Sequence, residues 1–291
     1  MFDADGEPPL RVAADRRNVD DWALALTAVG IDVSINETDH GVELYVTAND
    51  RARASAILAA YDAENRPPEP PPAEHDGSSY GAYVAAVLLA AFFSITGPRD
   101  AGGRQWFDRG AASGARIADG EIWRTVTALT LHADAVHILG NSITLIVFGS
   151  SICGALGTGV GLWVMLLAGA LGNAADALLR SAPYSSVGAS TSIFGGIGAL
   201  AAIQFVRRRD GIAISRWRMW APVGAGLALL GFLGTSPESD ILAHLFGFVA
   251  GMALAFPAMR AIAVRDSGVI QAALSVAALA LVIGCWLRAL R

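Results

Sequence analysis

The sequence predicts an α-helical polytopic membrane protein preceded by a small α+β domain. Three observations carry this. First, 54% of the 291 residues are apolar and only 16% are charged, against roughly 25% charged in an ordinary soluble domain; the mean hydropathy is +0.46. Second, the charge is uneven: residues through Ser79 hold 16 acidic and 6 basic side chains, net −10, and those from Tyr80 onward hold 10 and 15, net +5. Third, the chain after Ser79 breaks into apolar segments of about 17–25 residues, the length that crosses a bilayer.

In the head, residues 1–65, Asn18 is expected to cap a helix running to about Val29, with Asp20 and Asp21 in its first turn. Ile31–Ile35 reads as a strand. Val42, Leu44 and Val46 alternate with Glu43 and Tyr45, the period of a second strand. Asp39, His40 and Gly41 form the turn between them. Asn49 or Asp50 caps a second helix, Arg51–Ala63. The head holds no nucleophile, metal cluster or phosphate loop, and reads as a cytosolic accessory domain. Residues 66–79 (RPPEPPPAEHDGSS) form a Pro-rich, extended linker.

Seven spans follow: Tyr80–Thr96, Ala135–Cys153, Thr158–Ala177, Ala189–Val206, Arg218–Gly234, Ile241–Phe256 and Val269–Leu287. The core is residues 80–257, and residues 258–291 add a loop and the last helix. All 21 basic residues are arginine. Arg207, Arg208, Arg209, Arg216 and Arg218 follow the fourth span, and Arg260 and Arg265 the sixth. The positive-inside rule puts both loops, and therefore the head, in the cytoplasm, with the whole in the cytoplasmic (inner) membrane. The polar N-terminus lacks the pattern of a cleavable signal peptide. Cys153 and Cys285 lie in apolar stretches and read as inert filler. No basic patch of the nucleic-acid-binding kind occurs.

Polar side chains inside spans are costly and mark function. Here they are few: the membrane half has three histidines, His132, His137 and His244, Asn141 sits on the second span, and Ser190 opens the fourth. Ser190 precedes Arg207 by about 25 Å of helix, which puts it several Å below the outer face of a core about 30 Å thick. Counted from Asp134 and Asp240, His137, Asn141 and His244 fall roughly 4–10 Å below that same face. His137 and Asn141, four apart, share a helix face. His132 and His137, five apart, do not form a ligand pair, and no metal site or cofactor is expected. A serine, a histidine and nearby amide donors are the parts of acyl transfer. Ser190 opens a helix, where N–H groups lack intrahelical partners, and Gly188 permits a sharp turn before it. Phe194, one turn on, is placed to pack on His244. Gly195, Gly196, Gly198, Gly247 and Gly251 read as small residues that let spans approach.

At this point the chain resembles the rhomboid intramembrane serine proteases over about Gly120–Phe256. Trp123-Arg124 resembles the family's Trp-Arg signature, and His132 through Asn141 its His-x4-His-x3-Asn pattern. Gly188-Ala-Ser190-Thr191 resembles Gly-x-Ser-x, and Ala243-His244 with Gly247 and Gly251 the Ala-His-x2-Gly helix. The resemblance implies a six-helix bundle plus a seventh, C-terminal helix. It implies Ser190 as nucleophile and His244 as base, with His137, Asn141 and the Ser190 amide as oxyanion hole. His132, Trp123 and Arg124 would organise the outer loop, and the fifth span with Thr235–Ser239 would gate entry. The implied partners are transmembrane protein substrates and the lipid bilayer. Two departures stand out: Thr191 where many members have Gly, expected to narrow the site, and Cys153 where many bacterial members have Glu. The alternative is a pseudoprotease that binds membrane clients without cutting them. A channel or transporter would carry charges deep in its spans, and only Asp176, near a span end, comes close.

Overall fold

The computed structural model describes residues 8–38, 41–65, 80–100, 104–180, 184–209, 224, 228, 240–261, 264 and 266–291. The chain divides into two compact units, Met1–Glu69 and Pro70–Arg291.

The first unit is a three-stranded antiparallel sheet with two helices. Strands β1 (Arg11–Ala13), β2 (Val33–Thr38) and β3 (Gly41–Val46) lie in the order β1-β3-β2. β3 pairs Val46 with Val33 on one side and Leu44 with Arg11 on the other. Helices α1 (Arg16–Thr27) and α2 (Arg51–Glu64) complete the unit. Its core comprises Val19 and Leu26 of α1, Val42, Leu44 and Val46 of β3, and Ala54 and Leu58 of α2. The alternation on β3 thus buries one face, as a period of two requires.

Three expectations are corrected here. α1 is capped by Asp15, not Asn18: Asp15 is extended, and its carboxylate accepts the Arg17 N–H at 3.1 Å. Asp20 and Asp21 therefore lie beyond the first turn. The first expected strand is shifted to Val33–Thr38: the helix ends at Thr27, before the expected Val29, and Ile31 belongs to the turn that closes it, its N–H donating to the Leu26 carbonyl and its side chain packing in the core. Strand β1 was not anticipated; three residues are too few to show a period. Asp50 does open α2, but its side chain makes no capping bond and instead accepts from the Thr47 hydroxyl. The turn at Asp39-His40 and the 66–79 linker lie outside the described residues.

The second unit is helical. It begins with α3 (Tyr80–Thr96) and a connecting segment of α4 (Arg104–Gly110), β4 (Ala112–Ser113), α5 (Gly114–Ala118), α6 (Arg124–Thr127) and a 3-10 turn, Ala128–Thr130. Then come α7 (Ala135–Thr144), a π turn at Leu145–Gly149, α8 (Ser150–Leu156), α9 (Thr158–Leu179), β5 (Ser185–Ser186), α10 (Ser190–Arg209), α11 (Ile241–Arg260) and α12 (Gly268–Ala289). Among the described residues, four helices are long and apolar enough to cross a membrane: Ala135–Leu156, α9, α11 and α12. α3 is apolar but shorter. α10 is long, but polar at both ends, with Ser190-Thr191-Ser192 at one and three arginines at the other. The protein is a multi-pass membrane protein. Every expected span but the fifth coincides with a helix; Arg218–Gly234 and the Thr235–Ser239 gate lie outside the described residues.

The apolar core of this unit draws on Leu145, Ile152, Val164, Met165, Ile193, Ile197 and Ile203. α10 sits at its centre, with most of its side chains from Ser190 to Ile203 buried. α10 and α11 meet backbone to backbone. A Cβ built on Gly251 would lie 1.9 Å from the Gly195 carbonyl oxygen, and one on Gly198 2.0 Å from that of Phe248. Only hydrogen fits there, which is how small residues let membrane helices approach.

Candidate active site

The turn before α10 is held by backbone bonds from the segment that connects α3 to α7. β5 pairs Ser185 and Ser186 with Ser113 and Ala112 of β4. The Gly188 N–H donates to the Ala128 carbonyl at 2.9 Å. Gly188 has φ +124°, a left-handed conformation open to glycine. The Ala189 N–H donates to His132 Nε2 at 3.5 Å. His132 is fully buried, and burial, with His137 next, pushes its imidazole down to about 3. A neutral ring is what an acceptor nitrogen requires.

This turn delivers Ser190 to the start of α10, where its N–H has no intrahelical acceptor. Ser190 Oγ lies 2.7 Å from His244 Nε2. Both residues are less than a tenth exposed. Phe194 stacks on the His244 ring, centroids 4.6 Å apart and planes 18° from parallel. Within the described residues His244 Nδ1 has no hydrogen-bond partner.

α7 brings the next two groups. Asp134 caps it by accepting the His137 N–H at 2.8 Å. The Ala133 N–H reaches His137 Nδ1 at 3.4 Å, so Nδ1 is the acceptor and Nε2 carries the proton. That Nε2 lies over Gly188, 2.6 Å from where a Cβ would stand, with Asn141 Nδ2 at 3.7 Å from the same point. Asn141 donates one N–H to the His137 carbonyl at 3.0 Å. His132 and His137 meet edge to face, centroids 5.1 Å apart. Ser190, His244, His137, Asn141, Gly188, Phe194 and His132 therefore gather around one turn.

A Rhomboid domain model matches residues 119–261. Of curated proteins, the putative rhomboid protease YdcA of Bacillus subtilis (strain 168) is 32% identical over 151 residues, covering 52% of this chain and 74% of that protein. The chain belongs to the rhomboid family. Rhomboid protease GluP of the same organism is 36% identical over 100 residues, 34% of this chain but 19% of GluP. RHOMBOID-like protein 1 of Arabidopsis thaliana is 33% identical over 144 residues, 47% of this chain and 34% of that protein. The chain thus spans a minor part of the length of these last two relatives.

In this rhomboid Arg124 bonds within the segment that connects α3 to α7, and Trp123 meets α12. Arg124, 2% exposed, bonds Glu121 at 2.5 Å, the Ala111 carbonyl at 3.0 Å and the Asp108 carbonyl at 2.8 Å. Trp123 lies under the Arg288 guanidinium of α12, 4.7 Å from ring centroid. Gly247 sits against the Thr191 carbonyl and Gly251 against Gly195. The expectation that Thr191 narrows the site is not what the structure holds. Its methyl points into the junction of α9 and α11, between Gly172 and Gly247. Cys153 is buried in the middle of α8, beside Gly161, with Sγ 3.8 Å from the Thr158 carbonyl.

Sequence reasoning passed over three ties. The Gln271 side chain accepts from the Gly159 and Val160 N–H groups at 2.7 and 3.1 Å, capping α9 from α12. Trp286 donates to Thr130 Oγ1 at 3.0 Å. Arg180 links Asp176 to Asp240. The signal for the last was present as Asp176 in an otherwise apolar span; the first two had none, because neutral polar residues near helix ends are common.

Proposed function

We propose that this chain is an intramembrane serine endopeptidase that hydrolyses peptide bonds in or near transmembrane segments of membrane proteins. The observation that carries the reading is the 2.7 Å contact between the buried Ser190 Oγ and His244 Nε2. Ser190 Oγ attacks the scissile carbonyl carbon as its proton passes to His244 Nε2, and the carbonyl π pair moves to oxygen. The His137 Nε2–H, the Asn141 amide and the Ser190 N–H are the donors for that oxyanion. Collapse breaks the C–N bond, and the proton on His244 goes to the leaving nitrogen. Water then attacks the acyl-Ser190 ester, its proton passing through His244 back to Ser190. Phe194 holds the ring flat through the cycle. The substrate helix must unwind at the cut, since helical carbonyls are already bonded within the helix.

The same reading has the head in the cytoplasm and the site toward the outer face of the inner membrane. Support comes from α10, whose 20 residues span about 30 Å from Ser190 to Arg207, Arg208 and Arg209. Against the pseudoprotease reading stand the intact Ser190 and His244; the departure that keeps it open is Thr191, whose methyl lies between Gly172 and Gly247. The test is cleavage of a fluorescent transmembrane substrate in liposomes by wild type, Ser190→Ala and His244→Ala. Loss in both variants with the fold retained is expected. No cleavage by wild type across several substrates, and no labelling of Ser190 by a fluorophosphonate, would leave the client-binding pseudoprotease.

A further inference from the structure

A charged cluster lies beside the site at the end of α9. Asp176 is fully buried. Arg180, one turn on, bonds Asp176 Oδ1 at 3.2 Å and Asp240 Oδ1 at 2.5 Å. Its guanidinium also lies 4.5 Å above the Tyr184 ring. Asp240 is 5% exposed and caps α11: Oδ1 accepts the Ala243 N–H at 3.1 Å, and its carbonyl accepts the His244 N–H at 3.0 Å. One carboxylate oxygen therefore serves both the first turn of α11 and a cation on α9.

Capping alone does not call for this arrangement, because a neutral Ser or Asn caps a helix as well as Asp does. A buried carboxylate without a cation is costly, and here the cation comes from a different helix. Just below, Gly172 of α9 faces the Ala243 carbonyl and the Gly247 N–H, where a Cβ would stand 2.9 and 2.8 Å away. The first turn of α11 is thus fixed at two points, by a charged bond above and backbone contact below. His244 is on that turn.

We propose that Arg180 and Asp240 are positioning residues for His244: their ion pair pins the first turn of α11 to α9 and so sets Nε2 on Ser190 Oγ. This rests on the reading of His244 as the base. The pair does not touch the reacting atoms.

The test uses the full-length protein in liposomes, with Arg180→Gln, Arg180→Lys, Asp240→Asn and the Arg180→Gln/Asp240→Asn double variant. Asp240→Asn keeps the cap and removes the charge. Expected are a fall in kcat of roughly 10- to 100-fold, the order that a misplacement of about 1 Å produces, and an unchanged KM. The double variant should lose no more than either single, as partners in one interaction do, and Arg180→Lys should recover part of the loss. Amide hydrogen exchange should rise at Ile241–Gly247 and stay unchanged in α10 and α12. Wild-type kcat and exchange in Arg180→Gln would overturn the proposal. So would a rise in exchange throughout the helical unit, which would make the pair a general stability contact. Exchange needs no proteolysis, so pinning is decided even if no substrate is cut, whereas failure of the base reading appears as wild-type cleavage that survives His244→Ala.

Discussion

In the proposed mechanism His137 is an oxyanion donor, and a single hydrogen bond fixes which of its nitrogens can donate. Because Ala133 N–H occupies Nδ1, the ring presents a donor at Nε2 toward the turn before Ser190. Replacing it by Ala is expected to lower kcat by about 10²–10³, the usual cost of one oxyanion donor, with little change in KM; steady-state cleavage of a transmembrane substrate measures this. His132 does something different. Its imidazole is held down to about 3, from an ordinary 6.5, chiefly by burial. Between those values the unfolded chain takes up a proton that the folded one refuses. The stability His132 contributes is therefore full above about pH 6.5 and is lost as pH falls toward 3. Thermal unfolding in detergent from pH 7 to 4 should fall less steeply for His132→Gln than for wild type. Thr191→Gly should lower the melting temperature, since it empties a packed junction, without raising the cleavage rate.

At the scale of elements, the seam between α10 and α11 is what turns two distant motifs into one site. Ser190 and His244 each stand in the first turn of their helix, and the glycine contacts lower down set the distance between the axes. Gly251→Val places side-chain atoms where the Gly195 carbonyl already is. Overpacking of this kind costs about 1–3 kcal/mol or more, and here it also moves His244 from Ser190. The expected outcome is loss of fluorophosphonate labelling in protein that still inserts in the membrane. α12 acts on α9 through Gln271. Gln271→Leu removes the acceptor for two N–H groups, and should cost about 0.5–2 kcal/mol, as loss of a helix cap does; chemical unfolding in mixed micelles reads it. The apolar spans were legible because a run of about 20 apolar residues is a local property. The π turn at Leu145–Gly149 was not, since it leaves composition and period almost unchanged.

For the whole molecule, every group of the candidate site lies in the unit Pro70–Arg291, and the head has its own buried core. A chain lacking residues 1–65 is therefore expected to cleave a transmembrane substrate with kcat within a few-fold of wild type; loss of cleavage with the helical unit folded would assign the head a part in activity. The division itself could be read from the charge, because a net −10 head and a net +5 apolar body prefer different solvents. The cap of α1 was misplaced by comparison, because Asp15 and Asn18 are equally good capping residues by type. Only the backbone angles at Asp15 choose between them.

The sequence by itself determined what depends on short stretches: which segments are apolar and long, and which polar side chains sit in or beside them. A constant rise per residue is also why Ser190, His137, Asn141 and His244 are expected at one level before any fold is at hand. The tertiary structure alone decided which way each side chain turns and what it meets. Ser190 and His244 are 54 residues apart, Arg180 and Asp240 60, and Thr130 and Trp286 156. Such contacts arise from helix packing, where rotation about an axis and the absence of a single Cβ settle the outcome, and local periodicity carries neither.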